Sequence, residues 1–206
     1  PQLYTASQMF EAYCKASGLD PKHHSSIQNR FRYMAKRGML GKGTVIDERG
    51  TYAFPGIEVY RGAIYTELAA LAMDLRAFEP IVEAAERRHP DGINVPGSMK
   101  REGGWTSRGG LLDAIHGVAQ GEHWTLLVEL QLPRGDREGG LVATFVCDEL
   151  LTPSVGQSGV NAILGRRPVR TRASIDLFEL FSPIIEIVGL PEEIGLSYPH
   201  SRTRQT

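Results

Sequence analysis

The chain has 206 residues, 41% of them hydrophobic and 23% charged, and a formal net charge of −1. That composition fits an ordinary folded protein with room for one large domain or two small ones, and it excludes collagen-like, mucin-like and disordered classes. No apolar run approaches the roughly 20 residues that span a bilayer. The opening Pro1-Gln2-Leu3-Tyr4 lacks the basic and apolar regions of a secretory signal, so a cytoplasmic location without a membrane partner is expected.

The charge is unevenly distributed. Residues 1–65 hold nine Lys or Arg against five Asp or Glu, a balance of +4, and the remaining 14 basic and 19 acidic residues leave −5 on the rest. A basic head on an acidic body is the pattern of a nucleic-acid-binding domain joined to something else.

In chain order, residues 6–17 place Met9, Phe10, Tyr13, Cys14 and Ala16 at spacings of three and four, one buried face of a helix that Gly18 ends. A second helix is predicted over residues 20–39, because Asp20 is a good N-cap, Pro21 suits a first turn and Gly38 can close the C-terminus. Its inward residues are Ile27, Phe31, Met34 and Ala35. Its other face carries Gln28, Arg30, Arg32, Lys36 and Arg37, all able to meet phosphates or base edges. A charge run of this kind is also what a solvated helix face looks like. Residues 40–54 then read as two short β segments around a polar turn at Asp47 to Gly50. Helix, helix, basic hairpin is the order of a winged helix-turn-helix.

A further helix is expected over residues 57–75, with Val59, Ala63, Ile64, Leu68, Leu71, Ala72 and Leu75 inward, and Pro80 is expected to interrupt or kink any helix through residues 78–85. Residues 86–110, rich in Gly, Pro and charge, read as a linker or long loop. Beyond them come a short helix at 111–118, a strand at 124–132, and an antiparallel partner at 141–147. A third strand is expected at 169–173, while residues 174–188, with Pro183 in their middle, carry both helix and strand signals. The fold class is therefore α+β: a winged helix-turn-helix with its following helix at 1–85, the linker at 86–110, a small α+β domain at 111–196 and a flexible tail at 197–206.

Several residue groups invite chemistry, and each has a plainer reading. Cys14 and Cys147 have no CxxC partner and suit buried apolar positions, with a redox-sensing thiol as the alternative. His23 and His24 are adjacent, so they point to different faces of a helix and suit a polar turn better than a metal site. Asp113, His116, Glu122 and His123 match no HExxH or nucleophile motif. Gly103-Gly104 and Gly109-Gly110 around Trp105 lack the strand and Lys-Ser/Thr order of a phosphate loop. Arg166, Arg167, Arg170 and Arg172 fit either a strand edge kept soluble by charge or a further contact site. Leu177, Leu180, Phe181, Ile184 and Ile187 fit either core or a dimer interface. No catalytic residue, metal ligand or cofactor signature is expected, and the chain is not read as an enzyme.

At Arg32-Tyr33 and Gly38-Met39-Leu40 the chain resembles the recognition-helix motif of MerR-type winged-helix regulators, and Arg49-Gly50-Thr51-Tyr52-Ala53-Phe54 followed by Glu58-Val59 is similar to the end of their wing. The match covers about 45 residues. Two features depart from the family pattern: His23-His24-Ser25-Ser26 lengthens the interval before Arg32-Tyr33, and Pro80 falls where the family has a long dimerisation helix. The resemblance implies a homodimer reading a two-fold symmetric site on double-stranded DNA, with the recognition helix in the major groove. It also implies DNA contact by Arg32 and Tyr33 from the helix and by Arg49 from the wing; charge and position add Lys36, Arg37 and Lys42. The expected function is sequence-specific transcriptional regulation, with dimerisation, small-molecule or protein effector sensing, or another protein contact assigned to the C-terminal domain. A winged helix that mediates protein contact without DNA is the alternative.

Overall fold

A computed structural model describes residues 2–71, 73, 78–88, 107–131, 140–148 and 169–197. Among the described residues the chain forms seven α-helices and two small antiparallel sheets, an α+β architecture. It divides into two compact units, Pro1–Met73 with Leu180–Thr206, and Asp74–Glu179.

In the first unit, β1 (Leu3–Thr5) leads straight into α1 (Ala6–Ser17) through a capping box. The Thr5 hydroxyl accepts from the Gln8 amide at 3.3 Å and Gln8 Oε1 accepts from the Thr5 amide at 2.9 Å, which satisfies two donors that a helix start leaves orphaned. Helix α1 buries Met9, Phe10, Ala12, Tyr13 and Cys14, and Gly18 ends it in the left-handed conformation. Asp20 caps a single 3₁₀ turn, Pro21–His23, and α2 (His24–Lys36) follows, with Ile27, Phe31 and Met34 buried. The helix expected over residues 20–39 is thus shorter at both ends. His23 and His24 lie at the junction: His24 Nε2 is 3.2 Å from the Leu19 carbonyl, and its ring meets Phe10 edge-on at 5.5 Å.

Strands β2 (Thr44–Val45) and β3 (Tyr52–Pro55) form the expected hairpin, and β1 adds to its far side in the order β1-β3-β2. Helix α3 (Ile57–Ala70) is buried around most of its circumference, as a central helix must be. It ends five residues short of the predicted Leu75; Ala72 and Leu75 lie outside the described residues. At Gly62 a Cβ would sit 2.6 Å from the Phe31 ring, so only glycine allows α3 to approach α2 this closely. Tyr13 donates from its hydroxyl to Glu67 Oε1 at 2.6 Å and ties α1 to α3; burial and then the Glu67 carboxylate push that phenol well above its ordinary pKa.

In the second unit, α4 (Glu79–Glu86) and α5 (Gly110–Ala119) accompany a three-stranded sheet in the order β5-β4-β6, built from β4 (Trp124–Gln131), β5 (Gly140–Cys147) and β6 (Val169–Asp176). Pro80 does not interrupt a helix, contrary to expectation. It occupies the first turn of α4, where its missing N–H costs nothing and its fixed φ is already helical. The register pairs Leu126 with Phe145 and Val128 with Ala143 on the face toward the helices, where Phe145 lies against Gly110 and Trp124 against Gly117. The opposite face carries Thr125, Leu127, Glu129 and Gln131 beside Thr144 and Arg172.

The undecided stretch 174–188 resolves at Asp176, whose carboxylate accepts from the Phe178 and Glu179 amides and starts α6 (Leu177–Val188). Leu177, Phe181 and Ile184 are core residues. The boundary between the two units falls within α6. In the first unit, Phe181 meets Tyr60 edge-on at 5.2 Å, Tyr60 donates to the Gly189 carbonyl at 2.7 Å and Tyr4 donates to that of Val188 at 3.4 Å. The compact units are bounded differently from the expected domains at 1–85 and 111–196. Residues from 180 onward, including α7 (Glu192–Ser197), join the first unit, while α4 packs on β5 and α5 in the second. Most of the expected linker and tail, residues 89–106 and 198–206, lie outside the described residues.

Candidate nucleic-acid interface

Helix α2 buries one stripe and leaves the rest exposed, so the sequence that puts Ile27, Phe31 and Met34 inward puts Arg32, Tyr33, Lys36 and Arg37 outward. Arg32 and Lys36, four residues apart, occupy one strip of the helix and line a groove of about 580 Å³. Its other walls are Thr5, Ala6 and Ser7 at the start of α1, residues 38, 40, 41 and 43 of the connecting loop, and Thr51, Tyr52 and Phe54 of the hairpin. The Arg37 guanidinium lies 5.3 Å from the centre of the Tyr33 ring, a cation–π contact that holds both side chains on the surface.

Two close approaches set the shape of this groove. A Cβ at position 41 would lie 2.6 Å from Glu58 Oε1, and one at position 43 would lie 2.8 Å from the Phe54 ring. The loop between α2 and the hairpin therefore passes directly over the buried Glu58–Arg61 ion pair of α3, 3.3 Å long, and over Phe54. The turn itself is held by Asp47. Its carboxylate accepts from the Thr51 amide at 2.9 Å and the Arg49 amide at 3.0 Å, with Gly50 at φ 75° between them. Hydrogen bonds from Thr51 and then Arg49 hold the Asp47 carboxyl below the usual carboxylate range.

Of the eight residues picked from sequence, Arg32, Tyr33, Lys36 and Arg37 share the exposed face of α2, and Lys42 and Arg49 are exposed on the loop and the hairpin turn. Gln28 is half-buried. Arg30 departs from the set: it is half-buried, and its Nη1 reaches the Thr66 carbonyl of α3 at 3.5 Å. The helical period explains this, because two residues of separation turn Arg30 by about 200° from Arg32. No carboxylate among the described residues pairs with Arg32, Lys36, Arg37, Lys42 or Arg49. Unpaired cations beside an aromatic wall can take phosphate oxygens, and an Arg fork can take base edges. Sequence reasoning missed Thr5, Ser7 and Tyr52. The Thr5-x-x-Gln8 capping box was the available signal for the first two, since it marks where helix α1 starts.

The other groups noted from sequence hold the fold together. Asp113 accepts from the Ser107 hydroxyl and the Arg108 amide, Glu122 accepts from Trp124 Nε1 at 3.0 Å, and His123 stacks on Phe178 at 4.2 Å. No group of three or more His, Cys, Asp or Glu among the described residues is arranged to hold a metal. Both cysteines are buried, and burial pushes the Cys14 thiol up. Arg172 lies on edge strand β6 and pairs with Glu129; Gly103, Gly104, Trp105, Arg166 and Arg167 lie outside the described residues. No described helix is long and apolar enough to cross a membrane. No family model, curated protein or solved structure matches the chain.

Proposed function

We propose that the chain is a sequence-specific, double-stranded-DNA-binding transcriptional regulator whose first unit acts as a winged helix-turn-helix. The observation that carries this reading is the outward face of α2, where Arg32, Lys36 and Arg37 stand without carboxylate partners among the described residues, beside a groove closed by the hairpin. Helix α2 is the recognition helix, entering the major groove with Arg32 and Tyr33, and the hairpin is the wing. The MerR-type resemblance, over about 45 residues, supports a homodimer on a two-fold symmetric site. The unit Asp74–Glu179 then serves dimerisation, effector sensing or contact with another protein.

The test is to retain fragments of a genomic pool on the purified protein across a salt series and to sequence them. Enrichment of a two-fold symmetric site, with affinity falling by a slope of about 0.9 per neutralised phosphate, is the expected result. The double variant Arg32→Ala, Arg37→Ala should bind weakly with a shallower salt slope. One observation favours a competing role in protein contact: Val45, Ile46 and Tyr52 are exposed on the hairpin. Absence of retention at low salt would move the assignment there.

A further inference from the structure

We propose that the groove between α1, α2 and the hairpin is a seat for one phosphoryl group, which Arg32 and Lys36 neutralise together and the Ser7 hydroxyl orients. This deepens the DNA-binding reading and rests on it for the source of the phosphate, a phosphodiester of the duplex backbone. The groove encloses about 580 Å³, and among the described residues no Asp or Glu lines it; its charged lining residues are Arg32 and Lys36. The nearby acids are engaged elsewhere. Buried Glu58 pairs with Arg61 at 3.3 Å, and the Asp47 carboxylate accepts from the Arg49 and Thr51 amides. A concave site with two positive charges and no negative one draws an anion, because its walls focus a field that open solvent would screen. Gly38, Gly41 and Gly43 form the loop wall, so no side chain from that loop fills the space.

The donors that line the groove come from different elements. Arg32 and Lys36 stand about one turn apart on α2, separated by about 40° around its axis. Ser7 belongs to the first turn of α1, and Tyr52 to β3. Neither the Ser7 nor the Tyr52 hydroxyl has a hydrogen-bond partner among the described residues, whereas the Thr5 hydroxyl on the same wall is committed to Gln8. This donor set discriminates between anions. A carboxylate presents two oxygens in one plane, which a single Arg fork satisfies. A phosphoryl group presents its oxygens tetrahedrally and suits donors supplied by a helix, a second helix and a hairpin. Helix α1 also begins at this wall, and the positive end of its dipole adds to the attraction that the two cations provide.

The test uses the full chain with inorganic phosphate as the probe. Phosphate, acetate and chloride are titrated at fixed ionic strength while the amide resonances of Ser7, Gly41 and Thr51 are followed. Phosphate should move them saturably, and acetate should not. Ser7→Ala should weaken phosphate binding about tenfold, the value of one hydrogen bond to a charged group, and should keep the fold because alanine suits a first helical turn. On a duplex retained from the genomic pool, Arg32→Gln with Lys36→Gln should lower the salt slope by about 0.9, the share of one phosphate. Four results would each overturn the seat and leave the DNA reading standing: no response to phosphate, an equal response to acetate, a Ser7→Ala variant that binds phosphate like the wild type, or a slope loss twice as large. A wild type that takes phosphate saturably but ignores genomic fragments at low salt overturns the DNA reading instead, and assigns the seat to a free phosphate ester.

Discussion

The outer face of α2 and the three-stranded sheet of the second unit carry similar residue types in opposite conditions. In the sheet unit, polar groups meet partners inside the protein: Arg172 Nε donates to Glu129 at 2.6 Å, Ser107 to Asp113, Trp124 to Glu122, and Thr125 to Asp148 at 2.8 Å. Glu129 is fully buried, and its Oε2 has no hydrogen-bond partner among the described residues, so the Arg172 contact to Oε1 is what compensates a carboxylate on the central strand. On α2, by contrast, Arg32, Lys36 and Arg37 are exposed and meet no carboxylate among the described residues. Arginine clusters look alike in sequence; the difference between a structural pair and an available cation is whether the fold brings a carboxylate to it.

The largest expected effect tests where one region ends. Phe181→Ala should cost about 3–5 kcal/mol in denaturant unfolding, as removal of a fully buried ring does. Hydrogen exchange should quicken at α3 amides around Tyr60 more than at β4. The reverse pattern would return residues 180–188 to the sheet unit.

Next in size is the contrast between paired and unpaired arginines. Arg172→Ala should lower stability by about 2 kcal/mol, because it strands Glu129, although the guanidinium's own half-exposure moderates the loss. The Arg32→Ala, Arg37→Ala variant should fall within about 0.5 kcal/mol of the wild type, as surface substitutions do. Equal losses in chemical denaturation would erase the distinction between the two regions.

The smallest effect is a pH response confined to the hairpin. The Asp47 carboxyl is held below its ordinary value, first by Thr51, so the turn gains from it fully above the ordinary pKa of 3.8 and loses that gain as pH falls through the depressed value. Arg49 and Thr51 amides should therefore exchange faster as the solution is acidified past that point. In Asp47→Asn the same amides should show no such step.

Much of this was legible locally. Residues 6–17 match α1 to the residue, because a capping box, a three-four apolar spacing and a terminal glycine all agree there. The hairpin, the β4–β5 pair and the short helix before β4 follow from equally local patterns. The candidate site was legible in part: the Arg32 strip is a consequence of helical period, but the half-burial of Arg30 depends on Thr66, 36 residues away. Strand β1 was missed because three residues carry no periodicity, and their pairing with Phe54 and Ala53 is long-range. Pro80 was misjudged because proline breaks a helix interior and suits a first turn equally well, and residue identity does not say which position it holds.

What the sequence by itself determined is the α+β class, the order of elements and the basic bias of the first 65 residues, since caps, periodicity and charge act within a few residues along the chain. Only the tertiary structure decided that Phe181, Val188 and Gly189 meet Tyr60 and Tyr4 in the first unit, that Arg172 is bound to Glu129 while Arg32 and Lys36 line a groove, and that Val45 and Ile46 stay exposed. Each of those outcomes depends on which distant residue arrives to cover or pair with a side chain, and burial and pairing are properties of the packed molecule rather than of any local segment.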